Sequence, residues 1–442
     1  MEKKKTKGLS LINLVALSSG QVIGAGVVTY VGPAIAATGI SAWLAYSAAV
    51  VMGTLSIIPF IFLSSALVLQ GGEYSIIEKM LGQKFAGFYI VAYIAQCLGI
   101  SVMGLSLGTY LNYIFPTFDR RIIALVALTL FFATNLMGVK MMAKLQTVLT
   151  ALLVGGLLLF AAFGLTKIGH QAFDFSSPEF FTDGFKGFAS AVALYAFSTY
   201  GQYMVVNFGK DAENPKRDIP LAIIISSCVI LIVYTGIALV QSGILPISQT
   251  AGKPLTVVAE AILPAPLMIA FIIVGPLMAL ATTINSFYSA RSNPLLRATR
   301  DGWFPEYFGK VNQNKVPFIL MGMIWLFGVV PILLNMSINQ ITNNVVLVAY
   351  LLRMVIAIAT LRLPVLYKEQ WEKSFIHLPN PVFYFITGIA ILAQLYMVYL
   401  SARSLSPFMA ACIIGFVALC ALYAYLRHKT GKVDIKSSVT LE

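Results

Sequence analysis

Two apolar stretches contain residues that interrupt an α-helix where a continuous helix would otherwise be expected. The first, SSGQVIGAGVVTYVGP, covers 18–33 and carries Gly20, Gly24 and Gly26. The second, YAFSTYGQYMVV, covers 195–206. A broken helix leaves backbone N–H and C=O groups without intrahelical partners. Free N–H groups at a helix start suit a carboxylate, whereas free carbonyls at a helix end suit an ammonium.

The predicted ligand-binding atoms therefore belong mainly to the backbone. Ala25, Gly26 and Val27 are the predicted N–H donors, because a half-helix begins near Gly26. Glycine also leaves room for a ligand to approach the backbone closely. An α-amino acid zwitterion carries charges that suit both ends. The predicted binding residues from the two stretches are Val22, Ile23, Gly24, Ala25, Gly26, Val27, Phe197, Ser198, Thr199, Tyr200, Gly201 and Gln202, with the carbonyls of Val22, Ile23, Phe197, Ser198 and Tyr200 facing the ammonium.

The surrounding composition predicts an all-α polytopic membrane protein. The 442 residues are 59% hydrophobic and 11% charged, against about 25% charged in soluble domains. About twelve apolar segments are long enough to cross a bilayer, and they lack the alternation of barrel strands. Backbone groups in lipid must be satisfied internally, which favours helices. These spans are 10–37, 41–69, 85–114, 122–137, 143–167, 187–208, 219–246, 265–290, 317–336, 342–363, 381–401 and 406–426.

Charge placement predicts the orientation. Most of the 30 Lys and Arg residues fall in alternate loops on the side of the basic N-terminus, so both termini are expected in the cytoplasm. No small-residue cleavage site follows the N-terminal basic run, and we expect the first span to be retained in the cell membrane. The net charge of +13 is explained by topology, so a lipid bilayer is the expected partner and nucleic acid is not.

The two interrupted stretches lie in spans one and six, which are corresponding positions of two halves. Such a pair indicates the substrate site of a secondary transporter built from inverted repeats. The chain is predicted to form one transmembrane domain, with five-plus-five repeats at about 10–167 and 187–363 and appended helices at about 381–426. Gly20 and Gly24 alone could form a helix-packing face. Packing glycines do not predict the matching polar break five helices later.

Five short stretches stand in an order and spacing that is known from one family. They are GQVIGAG at 20–26, GGEY at 71–74, FSTYG at 197–201, the acidic loop DAENPKRDIP at 211–220 and RDGWFP at 300–305. They resemble the motifs G-x-I-I-G-S-G, G-G-x-Y, F-x-x-x-G, N-P-x-x-x-I-P and D-G-x-x-P of the amino acid, polyamine and organocation superfamily, in its bacterial permease form. This resemblance implies amino acid transport by alternating access and an aromatic gate at Phe197 over the substrate. The chain departs from the family at Leu153, where many relatives carry a lysine at a cation position.

Ionisable residues bear on the substrate and on energy coupling. All 17 acidic residues are assigned to loops or tails, and a cationic substrate would usually require a buried carboxylate. A small or medium neutral amino acid is therefore expected. A cationic amino acid or polyamine is the alternative. His170, His377 and His428 also fall outside the spans, which removes the usual proton relays. Gln96, Cys97, Tyr203 and Phe287 are further predicted pocket walls.

Exchange of one amino acid for another and coupling to Na⁺ both remain open. A sodium site could use the carbonyls of Gly20 and Ile23 with the hydroxyls of Thr282 and Thr283, because oxygen ligands suit a hard cation. Alternatively, both hydroxyls bond their own helix. No other metal and no cofactor is predicted.

Three segments outside the site have predicted roles. Arg353 in span ten is expected to snorkel toward the inner face or to serve gating or anion contact. The segment 247–264 has helical spacing and is a predicted outer lid. The loops 71–84 and 209–218 are expected at the inner face as gate and hinge elements.

Enzymatic activity is not predicted. The sequence contains no H-E-x-x-H, no G-x-S-x-G and no P-loop, and it has no repeated filter-like loop of a channel. A non-transporting amino-acid sensor on the same fold is the remaining alternative.

Overall fold

The computed structural model describes residues 8–24, 26–27, 30–196, 198–199, 201–336, 338–403 and 407–434. Throughout these ranges the chain is almost entirely helical, and the one β-type pairing they contain is an isolated parallel bridge between Leu9 and Ala212. The predicted all-α class is confirmed. The number of spans and the inverted repeat stay predictions.

The helices of eight residues or more differ in length, and several are joined by short turns of 3₁₀ or π helix. In chain order they are Leu11–Val22, Val31–Thr38, Ala42–Ala66, Gly72–Leu81, Gln83–Tyr93, Gly99–Ile114, Arg120–Asn135, Val139–Leu165, Gly184–Ala196, Pro215–Gly243, Ala265–Ile272, Met278–Arg300, Phe318–Leu333, Ile338–Thr360, Asn380–Arg403 and Pro407–Lys429. Shorter α-helices are Ile247–Thr250, Thr256–Ile262, Leu363–Leu366 and Lys368–Glu372. The 3₁₀ segments are Gly39–Ser41, Ile94–Leu98, His170–Phe173, Gln202–Phe208 and Glu306–Gly309, and Ile273–Leu277 is a π turn.

Local signals in the sequence explain where several helices begin. Ser10 caps the first helix in a capping box with Asn13. Asp119 accepts a hydrogen bond from the backbone N–H of Arg121 at 2.7 Å and caps the helix that follows. Pro215 occupies the first turn of Pro215–Gly243, where its missing N–H costs nothing.

Helix length and composition indicate several membrane crossings. Within the described ranges, seven helical segments are long and apolar enough to cross a bilayer, and three shorter apolar helices accompany them. Large apolar side chains such as Leu159, Ile232 and Leu419 are exposed on the outside of the fold. Apolar surface of this extent suits contact with lipid rather than water. The seven segments are Val31–Ala66, Gln83–Asn112, Val139–Leu165, Pro215–Gly243, Pro266–Arg300, Asn380–Tyr399 and Pro407–Lys429.

The first helix lies at the centre of the packing. Leu11–Val22 contacts Val139–Leu165, Pro215–Gly243 and Met278–Arg300, and it also meets the 3₁₀ segment Gln202–Phe208. Just before this helix, Leu9 is hydrogen-bonded to the loop that follows span six. Its N–H donates to the carbonyl of Asp211 at 2.7 Å, and its carbonyl accepts from the N–H of Glu213 at 3.0 Å. The beginning of span one is therefore fixed to the end of span six.

The predicted outer lid is helical and packs on the second half of span one. The helices Ile247–Thr250 and Thr256–Ile262 lie within it. The N–H of Gly252 donates to the carbonyl of Gly32 at 2.8 Å, and a Cβ at Gly32 would meet the carbonyl of Lys253 at 2.0 Å. The lid can approach this closely only because residue 32 is glycine.

Two sequence assignments on the opposite side are wrong. The segment assigned as the loop 71–84 contains the helix Gly72–Leu81, in which Glu73 is fully buried. The helix of span eight continues to Arg300, ten residues beyond its predicted end, so Arg291 lies inside a helix and is only 7% exposed. Hydropathy ended span eight too early because it assumes that a charged residue faces water.

Candidate substrate site

The interruption in span one occurs where the sequence placed it. The first helix ends at Val22, and Gly24 donates its N–H to the carbonyl of Val22 at 2.8 Å instead of continuing the helical pattern. Helical hydrogen bonding resumes when the carbonyl of Gly26 accepts from the N–H of Tyr30 at 3.0 Å. Ala25 lies outside the described residues. The described atoms are those of a helix that stops and restarts.

Span six is interrupted in the same way. The helix Gly184–Ala196 ends, the N–H of Ser198 bonds back to the carbonyl of Tyr195 at 2.9 Å, and a 3₁₀ segment begins at Gln202. The N–H of Gly201 donates to the side-chain oxygen of Gln202 at 2.8 Å. Phe197 and Tyr200 lie outside the described residues, so the predicted aromatic gate stays a prediction.

The two interruptions touch each other. A Cβ on Gly26 would lie 2.2 Å from the Cβ of Ser198, and a Cβ on Gly201 would lie 3.1 Å from the carbonyl oxygen of Gln21. Side chains at either glycine would force the two chains apart. The structure thus brings described residues of both interrupted stretches into contact, at Gly26 with Ser198 and at Gly201 with Gln21.

Tyrosines that sequence reasoning missed support these backbone groups. The hydroxyl of Tyr234 donates to the carbonyl of Val22 at 2.9 Å, and that of Tyr46 hydrogen-bonds with the hydroxyl of Ser198 at 3.0 Å. The rings of Tyr46 and Tyr195 stack with centroids 3.7 Å apart. Val22 therefore already accepts two hydrogen bonds, from Tyr234 and Gly24. No sequence spacing indicates these neighbours, because they come from spans two and seven.

The remaining predicted wall residues are buried. Thr199 donates its hydroxyl to the carbonyl of Ala49 at 3.1 Å, which joins span six to span two. Gln96 and Cys97 lie in the 3₁₀ segment of span three, and the ring of Phe287 lies 3.9 Å from the Cβ position of neighbouring Gly99. Spans three and eight therefore meet at Phe287.

The residues of the predicted sodium site are only partly brought together. The hydroxyl of Thr283 donates to the carbonyl of Gly20 at 3.0 Å, which joins span eight to span one. It also bonds the carbonyl of Ala279 in its own helix, as does the hydroxyl of Thr282. Both hydroxyls therefore make the intrahelical bonds of the alternative interpretation. Thr283 additionally reaches the carbonyl that the sodium hypothesis assigned to it.

Span five offers no cation at the position where relatives carry lysine. Leu153 is fully buried in an apolar cluster with Val22 and Ile23. One turn away, the hydroxyl of Thr150 donates to the carbonyl of Ala16 at 3.1 Å. Gln146 accepts from the side-chain amide of Asn285 at 2.9 Å. Uncharged polar groups therefore connect spans one, five and eight.

A buried charged cluster lies beside the 3₁₀ half of span six. The carboxylate of Glu73 accepts from the hydroxyl of Tyr89 at 2.7 Å and from the side-chain amide of Asn207 at 3.2 Å. Arg353 is 3% exposed, with its guanidinium 4.5 Å from the ring centroid of Tyr350 and 5.6 Å from that of Tyr203. The snorkelling interpretation of Arg353 is therefore wrong, because the side chain turns into the protein and stacks on aromatic rings.

A polar cavity of about 680 Å³ opens beside the ends of spans one, five and eight. Basic side chains dominate its charged lining, which contains Lys140, Lys210, Arg300, Lys315 and one carboxylate, Asp211. Burial raises the pKa of Asp211. A cavity with this excess of basic side chains attracts anionic groups.

Together, the apolar helices define a multi-pass membrane protein, and two of its helical spans are interrupted where they meet. The chain belongs to the amino acid permease family, whose sequence profile matches residues 9–420.

Its relatives carry names with different substrates. The branched-chain amino acid permease BcaP of Bacillus subtilis is 24% identical and aligns over 98% of this chain and 96% of its own. The methylthioribose transporter of the same organism is 26% identical over 74% of both chains. A mitochondrial cationic amino acid transporter 3 of Arabidopsis thaliana is 26% identical over 70% of this chain and 55% of its own.

Proposed function

We propose that this protein is a secondary transporter that moves small or medium neutral amino acids by alternating access. The observation that carries the proposal is the contact between two broken helices, which brings spans one and six together where helical hydrogen bonding stops in each. Helix starts attract the carboxylate and helix ends attract the ammonium of an amino acid. The family membership and the branched-chain relative support amino acid transport.

Support for a neutral substrate comes from a different source than the sequence suggested. Glu73 is a buried carboxylate, which the sequence assignment excluded. Its oxygens already accept bonds from Tyr89 and Asn207, and it interacts electrostatically with Arg291. A carboxylate committed in this way is a poor partner for a second cation on the substrate. Two buried arginines nearby further disfavour a cationic cargo.

Exchange and Na⁺-coupled symport are both compatible with this site. The hydroxyl of Thr283 and the carbonyl of Gly20 are oxygen atoms in contact between spans one and eight, which supports a site for a hard cation there. Leu153 supports coupling that does not use a lysine in span five.

Counterflow in proteoliposomes tests the proposal. Purified protein is reconstituted with unlabelled leucine, threonine, arginine, cadaverine or methylthioribose inside, and uptake of labelled leucine is measured with and without a Na⁺ or pH gradient. Leucine and threonine are expected to drive uptake, and arginine and cadaverine are not. Exchange driven only by arginine or cadaverine would overturn the neutral-substrate proposal. Binding without any counterflow would favour the amino-acid sensor.

A further inference from the structure

Arg291 is a buried cation that the substrate site does not use. It is 7% exposed, and one of its nitrogens, Nη2, lies 3.9 Å from the sulfur of Met204. Within the described part of the chain, Nε and Nη1 are buried without a hydrogen-bond partner. A guanidinium in such surroundings is costly unless an anion or a polar group accepts its donors.

The groups around Arg291 come from spans three, six and eight. The guanidinium lies 5.0 Å from the ring centroid of Tyr93 and 5.3 Å from that of Phe287. Tyr203 and Glu73 are its further electrostatic neighbours. These contacts hold the cation where spans three, six and eight meet.

One more polar atom in this region, the side-chain carbonyl of Gln96, also has no partner among the described residues. Gln96 lies in the 3₁₀ segment Ile94–Leu98, which directly follows Tyr93. Residues three apart in a 3₁₀ helix lie on one face, so Gln96 is on the face of Tyr93, whose ring contacts Arg291. The guanidinium and this carbonyl are a donor and an acceptor of the kinds that the two ends of a zwitterion require.

The distance of Arg291 from the break follows from helix geometry. Thr283, Phe287 and Arg291 are spaced four apart in the continuous helix Met278–Arg300 and share one face. Thr283 contacts the break through the carbonyl of Gly20. Eight residues at 1.5 Å each place Arg291 about 12 Å further along the helix, toward the end that is predicted to be cytoplasmic.

The carboxylate of Glu73 does not satisfy the donors of the Arg291 guanidinium. Its oxygens accept from Tyr89 and Asn207, and no salt bridge joins it to Arg291 in the described structure. The planar fork of an arginine binds a carboxylate through two parallel hydrogen bonds. Nε and Nη1 are the two donors of this fork for which the described structure gives no partner.

We propose that Arg291 forms a second substrate position, which binds the carboxylate of the amino acid after it leaves the broken helices and before it reaches the cytoplasm. Gln96 is the matching acceptor for the ammonium group. This inference rests on the proposed transport function and adds a residue that acts on one side of the membrane only.

The test measures half-saturation from each side in oriented proteoliposomes that exchange leucine. In Arg291→Gln, the internal leucine concentration that half-saturates counterflow is expected to rise at least about tenfold, because a charge-assisted bond is lost. The external value is expected to stay within about twofold, because the broken helices are unchanged. The exposed Arg121→Gln is the matched control and is expected to change neither value.

Each outcome has a defined meaning. If the wild-type protein exchanges leucine and Arg291→Gln leaves the internal half-saturation unchanged, the inference is overturned and the proposed function is not. Equal changes on both sides also overturn it, because a merely structural role has no sidedness. Wild-type protein without any exchange overturns the proposed function and the inference together. If Arg291→Gln is not monodisperse in detergent, Arg291→Lys keeps the charge but loses the fork, and a smaller one-sided rise is expected.

Discussion

The broken helices and the charged cluster beside them would offer different groups to a charged ligand. At the break, Tyr234 donates to the backbone carbonyl of Val22 and Tyr46 bonds with the hydroxyl of Ser198, so the groups held there are uncharged. In the cluster, Glu73, Arg291 and Arg353 are buried ionisable side chains. Backbone groups can bind the part that all amino acids share. Buried charges discriminate by net charge, so the two regions would divide recognition between them.

The largest expected effect concerns the backbone region. In Gly26→Ala, the new Cβ would meet the Cβ of Ser198 at 2.2 Å, so the two breaks must separate. Leucine counterflow is expected to fall at least about a hundredfold, since displacement of a binding site by even 1 Å is severe. The measurement is counterflow at equal amounts of reconstituted protein.

The matched control for this change is Gly415→Ala. No atom lies within 4 Å of a Cβ built at Gly415, so transport should be unchanged. Near-normal counterflow in Gly26→Ala would break the comparison, because the close backbone contact would then be dispensable.

The charged region should matter more for stability. Glu73→Gln removes a buried charge that accepts bonds from Tyr89 and Asn207 and faces Arg291. A loss of about 2 kcal/mol in the free energy of unfolding is expected. Thermal unfolding in detergent measures it, with the exposed Glu372→Gln as control. An unchanged melting temperature would contradict this prediction and would mean that the charge of Glu73 does not stabilise the fold.

Tyr234→Phe sharpens the description of the backbone region. It removes the hydroxyl that donates to the carbonyl of Val22 and leaves the ring in place. Loss of one neutral hydrogen bond of about 1 kcal/mol should weaken external substrate affinity about fivefold. External half-saturation in counterflow is the readout. Tighter binding would show that the carbonyl of Val22 serves the substrate better when free.

The smallest expected effect is a pH dependence outside the membrane-spanning segments. Burial raises the pKa of Asp301 to about 6, although Arg297 lies 3.1 Å away and opposes the rise. The folded protein then holds this proton more tightly than the unfolded chain, whose ordinary value is 3.8. The resulting contribution to stability is fully present below 3.8 and is lost as pH rises through about 6.

Asp301→Asn removes that titration and keeps a similar shape. The melting temperature of the variant, measured in detergent between pH 4 and 7, should vary less with pH than that of the wild type. Parallel curves for the two proteins would assign the pH dependence to other groups.

The sequence predicted helices and their interruptions better than it predicted charge. The helical class and the positions of both breaks follow from local composition, because glycine and small polar residues weaken a helix wherever it is placed. Burial of Glu73 and Arg291 could not be predicted in this way, since it depends on Tyr89 and Tyr93, which come from span three. Hydropathy assigns every charged residue to water, so the predicted end of span eight came too early. Tyr46 and Tyr234 were missed because they come from spans two and seven, and no sequence spacing relates them to the break.

The pairing of Leu9 with the segment after span six has a mechanical consequence. The hydrogen bonds of Leu9 with Asp211 and Glu213 connect the first half of span one to the far end of the 3₁₀ half of span six. A second link lies nearer the break, where Ser18 donates to the carbonyl of Gln202 at 3.1 Å. Two segments joined at both ends are expected to move together. In the proposed transport cycle, the first half of span one and the 3₁₀ half of span six would therefore tilt as one unit.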